Sequence, residues 1–110
     1  MKIACDIDDT LIIPAIASDN WEITPNYKII SILKWFKEQW AYIILWSWTW
    51  PEWAKRWGDE LWVPYDEIRI KEKYDDVDIC FDDCIVDLAK VNVKVKRVKN
   101  QIKRNRWNII

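Results

Sequence analysis

The chain has 110 residues, of which 51% are apolar and 32% are charged, and its formal net charge is −1. This length and balance predict one soluble globular domain and exclude disordered and collagen-like classes of protein. No apolar run approaches the length needed to span a bilayer, so no membrane partner is expected. The chain contains no His, which excludes catalysis by a His base and metal binding through imidazole.

The first predicted element is a buried strand over residues 2–7, and it runs into a cluster of oxygen ligands at Asp6, Asp8, Asp9 and Thr10. In an open α/β sheet, ligands bind just beyond the carboxyl ends of the strands. Clustered carboxylates are costly there unless a cation joins them. Oxygen-only ligands suit Mg²⁺, so the sequence predicts a magnesium site at this strand end.

The next segment, residues 11–24, contains Pro14 and turn-forming residues, which predict a small hairpin flap. Thr24 as N-cap and Pro25 at the first helical position predict a helix that runs to about residue 39. The strand predicted over residues 42–47 is almost wholly apolar, as expected for a parallel sheet covered on both faces.

The second half continues the alternation of helices and strands. A helix is predicted from Thr49 or Trp50 to about Leu61, with Pro51 near its first turn. Strands over 66–70 and 77–81, a short helix over 84–90 and an edge strand over 91–98 are predicted to follow. The alternation predicts an α/β fold, a three-layer Rossmann-like domain over residues 1–110 with a central, mainly parallel sheet of about five strands.

The composition has one anomaly, which is ten Trp residues against a single Gly. Average usage would give roughly seven or eight Gly in a chain of this length. Trp40 and Trp62 follow predicted helices at C′ positions, where φ is often positive, and Trp48 follows a strand end where the backbone should approach a ligand closely. We hypothesise that many of these codons are read as Gly in the source organism, because some bacterial lineages read UGA as Gly and others as Trp. A natural Trp-rich protein is the alternative.

Other polar side chains also follow predicted strands. Asp82 and Asp83 come directly after the fourth strand, Ser47 ends the second, and Lys73 lies shortly before the fourth. Because the carboxyl ends of parallel strands meet at one edge of a sheet, we expect these side chains to lie near Asp6. Together they would supply metal ligands, a nucleophile, a hydroxyl group and a cation for an anionic substrate.

The order of these residues resembles the motifs of the haloacid dehalogenase superfamily of phosphatases. The first motif of that family, DxDxT, reads here as Asp6, Ile7, Asp8, Asp9 and Thr10. Its second motif is a hydrophobic strand that ends in Ser or Thr, and this chain has such a strand at residues 42–47.

The third and fourth motifs follow in the same order. The third is a Lys, which is best matched by Lys73, with Lys71 as the alternative. The fourth is an acidic pair after a strand, which is matched by Asp82 and Asp83. The resemblance therefore covers most of the chain.

The resemblance implies a role for each residue. Asp6 would attack phosphorus to form an aspartyl-phosphate, and Asp8 would act as the general acid and base. Mg²⁺ would be bound by Asp6, by the backbone carbonyl of Asp8 and by one of the two later acids, Asp82 or Asp83. The phosphoryl oxygens would be bound by Thr10, which would also orient the loop, and by Ser47 and Lys73.

Two departures from the family pattern bear on activity. Trp48 stands where the family often has a small residue after the second-motif hydroxyl, and about 30 residues between the first two strands leave no room for a cap domain. The leading interpretation is a capless Mg²⁺-dependent phosphomonoester hydrolase that acts on a phosphorylated small molecule. The alternative is a related binding or assembly module whose catalytic site Trp48 blocks, with exposed Trp side chains favouring a homo-oligomer.

Charge is unevenly distributed along the chain. All 18 acidic residues lie at or before Asp87, whereas residues 88–110, the predicted basic strand and tail, hold eight basic residues and no acid. A run of this kind can contact phosphate backbones, so a phosphatase acting on nucleic-acid ends is a further alternative. Three cysteines and the absence of a visible secretory signal predict reduced thiols and a cytoplasmic location.

Overall fold

The computed structural model describes residues 1–13, 23–48 and 50–96, and these form one α/β unit around a parallel sheet. The sheet consists of five strands: β1 (Lys2–Asp6), β4 (Tyr42–Ser47), β5 (Glu67–Ile70), β6 (Ile79–Asp82) and β7 (Val91–Lys94). Their spatial order is β5-β4-β1-β6-β7, and every neighbouring pair is parallel. The predicted fold class is confirmed, and β7 lies at an edge as expected.

Two helices cover one face of the sheet. They are α1 (Tyr27–Glu38) and α2 (Pro51–Glu60), which bury side chains such as Leu33 and Ala54 against Ile43 and Leu45 of β4. Pro51 occupies the first turn of α2, as predicted. This apolar cluster extends to the residues that follow β1, so the core reaches the edge of the sheet where the polar side chains begin.

The opposite face is covered by segments that are not helical. Ala4, Ile44 and Trp46 pack there against a second apolar cluster that includes Val77 and Leu88. Burial on both faces explains the apolar composition of β1 and β4.

The prediction of a short helix over residues 84–90 is wrong, because this segment contains bends and irregular backbone but no helix. The physical reason is a side chain that satisfies the local backbone. The Asn92 amide oxygen accepts hydrogen bonds from the N–H groups of Leu88 and Ala89 at 2.9 and 3.0 Å, and its nitrogen donates to the Ala89 carbonyl at 2.8 Å. The backbone is therefore paired without a helical turn.

The start of α1 also differs from the prediction. Instead of capping the helix, Thr24 and Pro25 form strand β3 (Thr24–Pro25), which pairs antiparallel with β2 (Ile12–Ile13). This ribbon is the described part of the predicted flap, and residues 14–22 lie outside the described residues. Asn26 precedes the helix instead, and its N–H and side-chain amide bond the carbonyls of Leu11 and Thr10 at 2.8 and 3.0 Å.

None of the helices in the described part of the chain is both long and apolar enough to cross a membrane. The predicted edge strand ends at Lys94, earlier than expected, and residues 97–110 of the predicted basic tail lie outside the described residues.

Both helices end in the same hydrogen-bonded motif, and a Trp occupies its left-handed position each time. Trp40 has φ of 65° and Trp62 has φ of 56°. After α1, the N–H groups of Trp40 and Ala41 bond the carbonyls of Lys37 and Phe36, both at 3.0 Å. After α2, Trp62 and Val63 make the equivalent bonds at 3.3 and 2.9 Å. This is a Schellman motif, in which Gly is the usual residue at the C′ position.

The side chains at these two positions support the glycine hypothesis. Trp40 is 94% exposed and Trp62 is 84% exposed, so neither indole contributes to the core. The single glycine, Gly58, shows the contrasting case, because a Cβ atom there would lie 2.6 Å from Leu45 and 2.8 Å from Tyr65. Glycine is therefore present where α2 packs closely, and Trp stands at two positions where the backbone favours glycine.

We predict that Trp40→Gly and Trp62→Gly each raise the free energy of unfolding by about 1 kcal/mol, because a left-handed conformation costs a non-glycine residue roughly that much. Urea unfolding of each variant measures the change. Trp35→Gly is the matched control, since Trp35 is an exposed Trp inside α1, and it should lose about 1 kcal/mol.

If Trp40→Gly and Trp62→Gly lowered the free energy of unfolding as Trp35→Gly does, the argument from backbone strain would be contradicted. The gene sequence tests the recoding hypothesis separately, because UGG codons at positions 40, 48 and 62 would rule it out there.

Candidate active site

The candidate site lies where the order of the sheet reverses direction. From β1 the chain moves outward to β4 and then β5, and it returns to the other side of β1 for β6 and β7. The carboxyl ends of β1 and β6 therefore flank a topological switch point, where ligands of open α/β sheets bind. The register pairs Cys5 with Phe81, so Asp6 and Asp82 follow at the same level of the sheet.

A buried Lys joins these two carboxylates. Lys71 directly follows β5, and its Nζ lies 3.4 Å from Oδ1 of Asp6 and forms an ion pair with Oδ2 of Asp82. All three residues are buried. Three strand ends thus contribute one charged side chain each to a single cluster, which we call the Asp6–Lys71–Asp82 triad.

Burial changes the protonation of this triad. The pKa of Asp6 is raised to about 7, chiefly by loss of water contact and next by the neighbouring Asp82 carboxylate, while Lys71 opposes both effects. Burial alone would lower the pKa of Lys71, but the carboxylates of Asp82 and Asp6 outweigh it and raise that pKa. Lys71 is therefore a cation at neutral pH, and the carboxyl of Asp6 responds to any further positive charge beside it.

The loop after β1 is organised around one carbonyl group. The Ile7 carbonyl accepts the N–H groups of Thr10, Leu11 and Ile12 at 3.2, 2.9 and 3.0 Å. This turn places the Thr10 hydroxyl, which is fully buried, 3.5 Å from Oδ2 of Asp6, to which it donates. The predicted orienting role of Thr10 fits this contact.

Asp8, two residues after Asp6, is exposed. Its Oδ1 accepts a hydrogen bond of 3.0 Å from the indole Nε1 of Trp53 on α2. Sequence reasoning missed Trp53, because only the tertiary structure brings the first turn of α2 over the loop after β1. The loop after β1 therefore carries one exposed and one buried carboxylate.

The second acidic pair lies on the other side of the switch point. Asp82 accepts the N–H of Cys84 at 2.9 Å, and Asp83 is buried beside it. Ligand atoms of Asp82, Asp83 and Cys84 lie within 4.8 Å of one another. The acids suit a hard cation such as Mg²⁺, whereas the Cys84 thiol, which the sequence analysis did not include, does not. Asp6 is connected to this group through Lys71.

Ser47 and Trp48 form the third side of the site. Ser47 ends β4, next to β5 in the register, and its carbonyl accepts the N–H of Lys71 at 2.8 Å. The Trp48 ring lies over Lys71, with Nζ 4.8 Å from the ring centroid, while 59% of Trp48 is exposed. The ring therefore covers the side chain that bridges the two carboxylates.

The structure does not bring Lys73 to the other predicted site residues. Its Nζ pairs instead with Asp87 at 3.3 Å, and both side chains are mostly exposed. The Lys at the carboxylates is Lys71, which the sequence analysis held as the alternative. The sequence contained an indication in favour of Lys71. Lys71 directly follows β5, just as Asp82 stands at the end of β6, whereas Lys73 lies two residues further from its strand.

Comparisons with solved structures show the same fold elsewhere. Chains from structures described as a Pnkp1/Rnl/Hen1 complex and as the Pnkp1/Rnl/Hen1 RNA repair complex superpose with TM-scores of 0.60 and 0.59 at 22% identity. The similarity covers 86% of this chain but only 45% and 42% of those chains, so this chain spans less than half of their length. No family model and no curated protein matches the sequence.

We predict that Lys71→Met lowers the free energy of unfolding by about 3 kcal/mol, at the lower end of the range for breaking a buried ion pair. The value lies at the lower end because Asp6, with its pKa of about 7, can take up a proton when Lys71 is lost. Urea unfolding at pH 7 in the presence of a metal chelator measures the change in the free energy of unfolding.

Lys73→Met is the matched control, since it removes the same charge from an exposed pair, and it should change stability by less than about 0.5 kcal/mol. Equal effects of the two substitutions would contradict the placement of Lys71 as the bridging cation.

Proposed function

We propose that this chain is a Mg²⁺-dependent phosphomonoester hydrolase of the haloacid dehalogenase type, which acts through an aspartyl-phosphate on Asp6. The observation that carries the proposal is the Asp6–Lys71–Asp82 triad at the topological switch point. A buried carboxylate that faces a buried ammonium group is suited to meet a phosphate, because the cation attracts the phosphoryl oxygens while the carboxylate attacks phosphorus.

Each step of the proposed reaction uses residues of the chain itself. The Asp6 carboxylate forms a bond to phosphorus as the ester P–O bond breaks, and Asp8 gives its proton to the leaving oxygen. In the second half Asp8 removes a proton from a water molecule, whose oxygen bonds to phosphorus as the Asp6–phosphorus bond breaks. Inorganic phosphate and the free carboxylate of Asp6 result.

The donor set fits a divalent cation. Asp6, Asp82 and Asp83 are buried carboxylates, and Lys71 pairs with the first two. Carboxylate oxygens are the ligands that Mg²⁺ prefers, and a divalent ion would offset the cost of burying several of these charges together. Mg²⁺ would be held by Asp6, the Asp8 carbonyl and one of the two later acids. When bound, it would screen the repulsion between the Asp6 carboxylate and the phosphate.

A phosphatase acting on nucleic-acid ends is the narrower form of this proposal. The solved structures with this fold include an RNA repair complex, and Lys94, the first basic residue of β7, pairs in register with Asp82. A basic run that starts one strand away from the site would bring a nucleic-acid backbone toward it.

We predict that Asp6→Asn reduces Mg²⁺-dependent release of phosphate from p-nitrophenyl phosphate to background, since the amide cannot attack phosphorus. Asp8→Asn should slow turnover about 10²- to 10⁴-fold, the usual contribution of a general acid or base. A steady-state assay with and without a metal chelator measures both effects.

Asp87→Asn is the control, because Asp87 is an exposed acid that pairs with Lys73 outside the triad. It should retain the activity of the parent chain. Activity that survives Asp6→Asn, or that does not need a divalent cation, would refute the proposal.

A second candidate is a binding or assembly module in which Trp48 blocks the site. The observation that favours it is the indole ring over Lys71, 4.8 Å from Nζ, where phosphoryl oxygens would have to approach. Under this alternative the carboxylates are present but a substrate phosphate cannot reach the ammonium group.

We predict that Trp48→Gly raises kcat/KM for p-nitrophenyl phosphate, by up to about 100-fold, because small displacements of a reacting group can cost that much. Trp62→Gly is the matched control, since it makes the same change at the far end of α2, and it should leave kcat/KM unchanged. If neither the parent chain nor Trp48→Gly turns over, the binding module is favoured.

A further inference from the structure

A small pocket lies on the first turns of α2, beside the candidate site. It has a volume of about 280 Å³ and is lined by Trp50, Glu52, Trp53 and Arg56. Two of its four lining residues are tryptophans. We call it the Trp50–Trp53 pocket.

The pocket is joined to Asp8 by one hydrogen bond. Nε1 of Trp53, which lines the pocket, donates to Oδ1 of Asp8 at 3.0 Å. In the proposed reaction Asp8 gives its proton to the leaving oxygen, so the leaving group must lie on the same side of phosphorus as Asp8. The organic part of the substrate is thereby directed toward the Trp50–Trp53 pocket.

The chemistry of the pocket favours a flat, electron-delocalised group. The Arg56 guanidinium lies 5.5 Å from the ring centroid of Trp53 and 5.1 Å from that of Trp57, so it makes cation–π contacts with both indoles. Trp50 is 69% exposed, so its indole is accessible from solvent. Aromatic faces of this kind bind nucleobases by stacking, with little dependence on which base is present. The Glu52 carboxylate could accept a hydrogen bond from an exocyclic amino group.

Two other cavities formed by the described residues are badly placed for this role. They are lined by residues such as Lys34, Trp62 and Pro64, which lie toward or beyond the carboxyl ends of α1 and α2. In a parallel α/β fold the helices begin at the edge where the strands end, so these cavities face the opposite edge from Asp6.

We propose that the Trp50–Trp53 pocket is the leaving-group subsite of this enzyme and binds the nucleobase next to the scissile phosphate. The substrate is then a nucleoside monophosphate or the phosphorylated end of a polynucleotide, which share this chemistry. The inference rests on the proposed function, because it is the proton-donating role of Asp8 that directs the leaving group into the pocket.

The test compares kcat/KM for a nucleoside monophosphate with kcat/KM for glycerol phosphate, a small ester without a base. Trp50→Ala should lower the ratio of the two values roughly 5- to 100-fold, the usual effect of removing a stacking partner. Trp53→Phe keeps an aromatic face but lacks the N–H that bonds Asp8. It should therefore slow both substrates together and leave the ratio nearly unchanged.

Trp35→Ala is the matched control, because it removes an exposed indole from α1, away from the pocket, and it should change neither value. A ratio that Trp50→Ala and Arg56→Gln leave unchanged would overturn the subsite while leaving the phosphatase in place.

A direct binding measurement separates this failure from failure of the proposed function. Calorimetry on Asp6→Asn, alone and combined with Trp50→Ala, reports nucleoside monophosphate binding even if no substrate turns over. Binding weakened by Trp50→Ala supports the subsite, and binding that is absent or unaffected overturns it. Repeating the titration with a 5′-phosphorylated oligonucleotide at rising salt distinguishes a polynucleotide substrate from a nucleoside monophosphate. A polynucleotide that contacts the basic run would lose affinity steeply with salt.

Discussion

The contact between Lys71 and the two carboxylates of Asp6 and Asp82 is the constraint on which the rest of the structure depends. Three buried charges are tolerated only when they are paired, so the ends of β1, β5 and β6 must lie close together at one edge of the sheet. The parallel register meets this requirement, because Asp6 and Asp82 lie level across β1 and β6, and Lys71 follows the residue that pairs with Ser47. A one-residue slip of any of these strands would bury an unpaired charge.

The same edge of the sheet also gathers the loops that give the site its chemistry. Asp8 leaves the buried cluster and is held by Trp53, so one carboxylate is buried and the other is exposed within three residues of the chain. Because Trp53 belongs to α2, the helix that closes the core also sets the position of Asp8 and shapes the adjoining pocket.

Four of the ten Trp residues fall into two groups with different consequences. Trp40 and Trp62 occupy left-handed positions at the carboxyl ends of the helices, away from the candidate site, so their effect is on stability. Trp48 and Trp50 lie between β4 and α2 in the chain, and the first covers Lys71 while the second lines the pocket beside Asp8. A change from Trp to Gly would therefore relieve backbone strain in the first group and alter access to the site in the second.

The sequence by itself determined the features that follow from local pattern. Apolar runs that end in acids identified β1 and β6 together with Asp6, Asp82 and Asp83, and the C′ positions of Trp40 and Trp62 followed from the helix ends alone. Only the tertiary structure decided between Lys71 and Lys73, paired Trp53 with Asp8, and left residues 84–90 without a helix. These outcomes depend on contacts between residues far apart in the chain or on which side chain satisfies the backbone. Periodicity in a single segment carries no information about either.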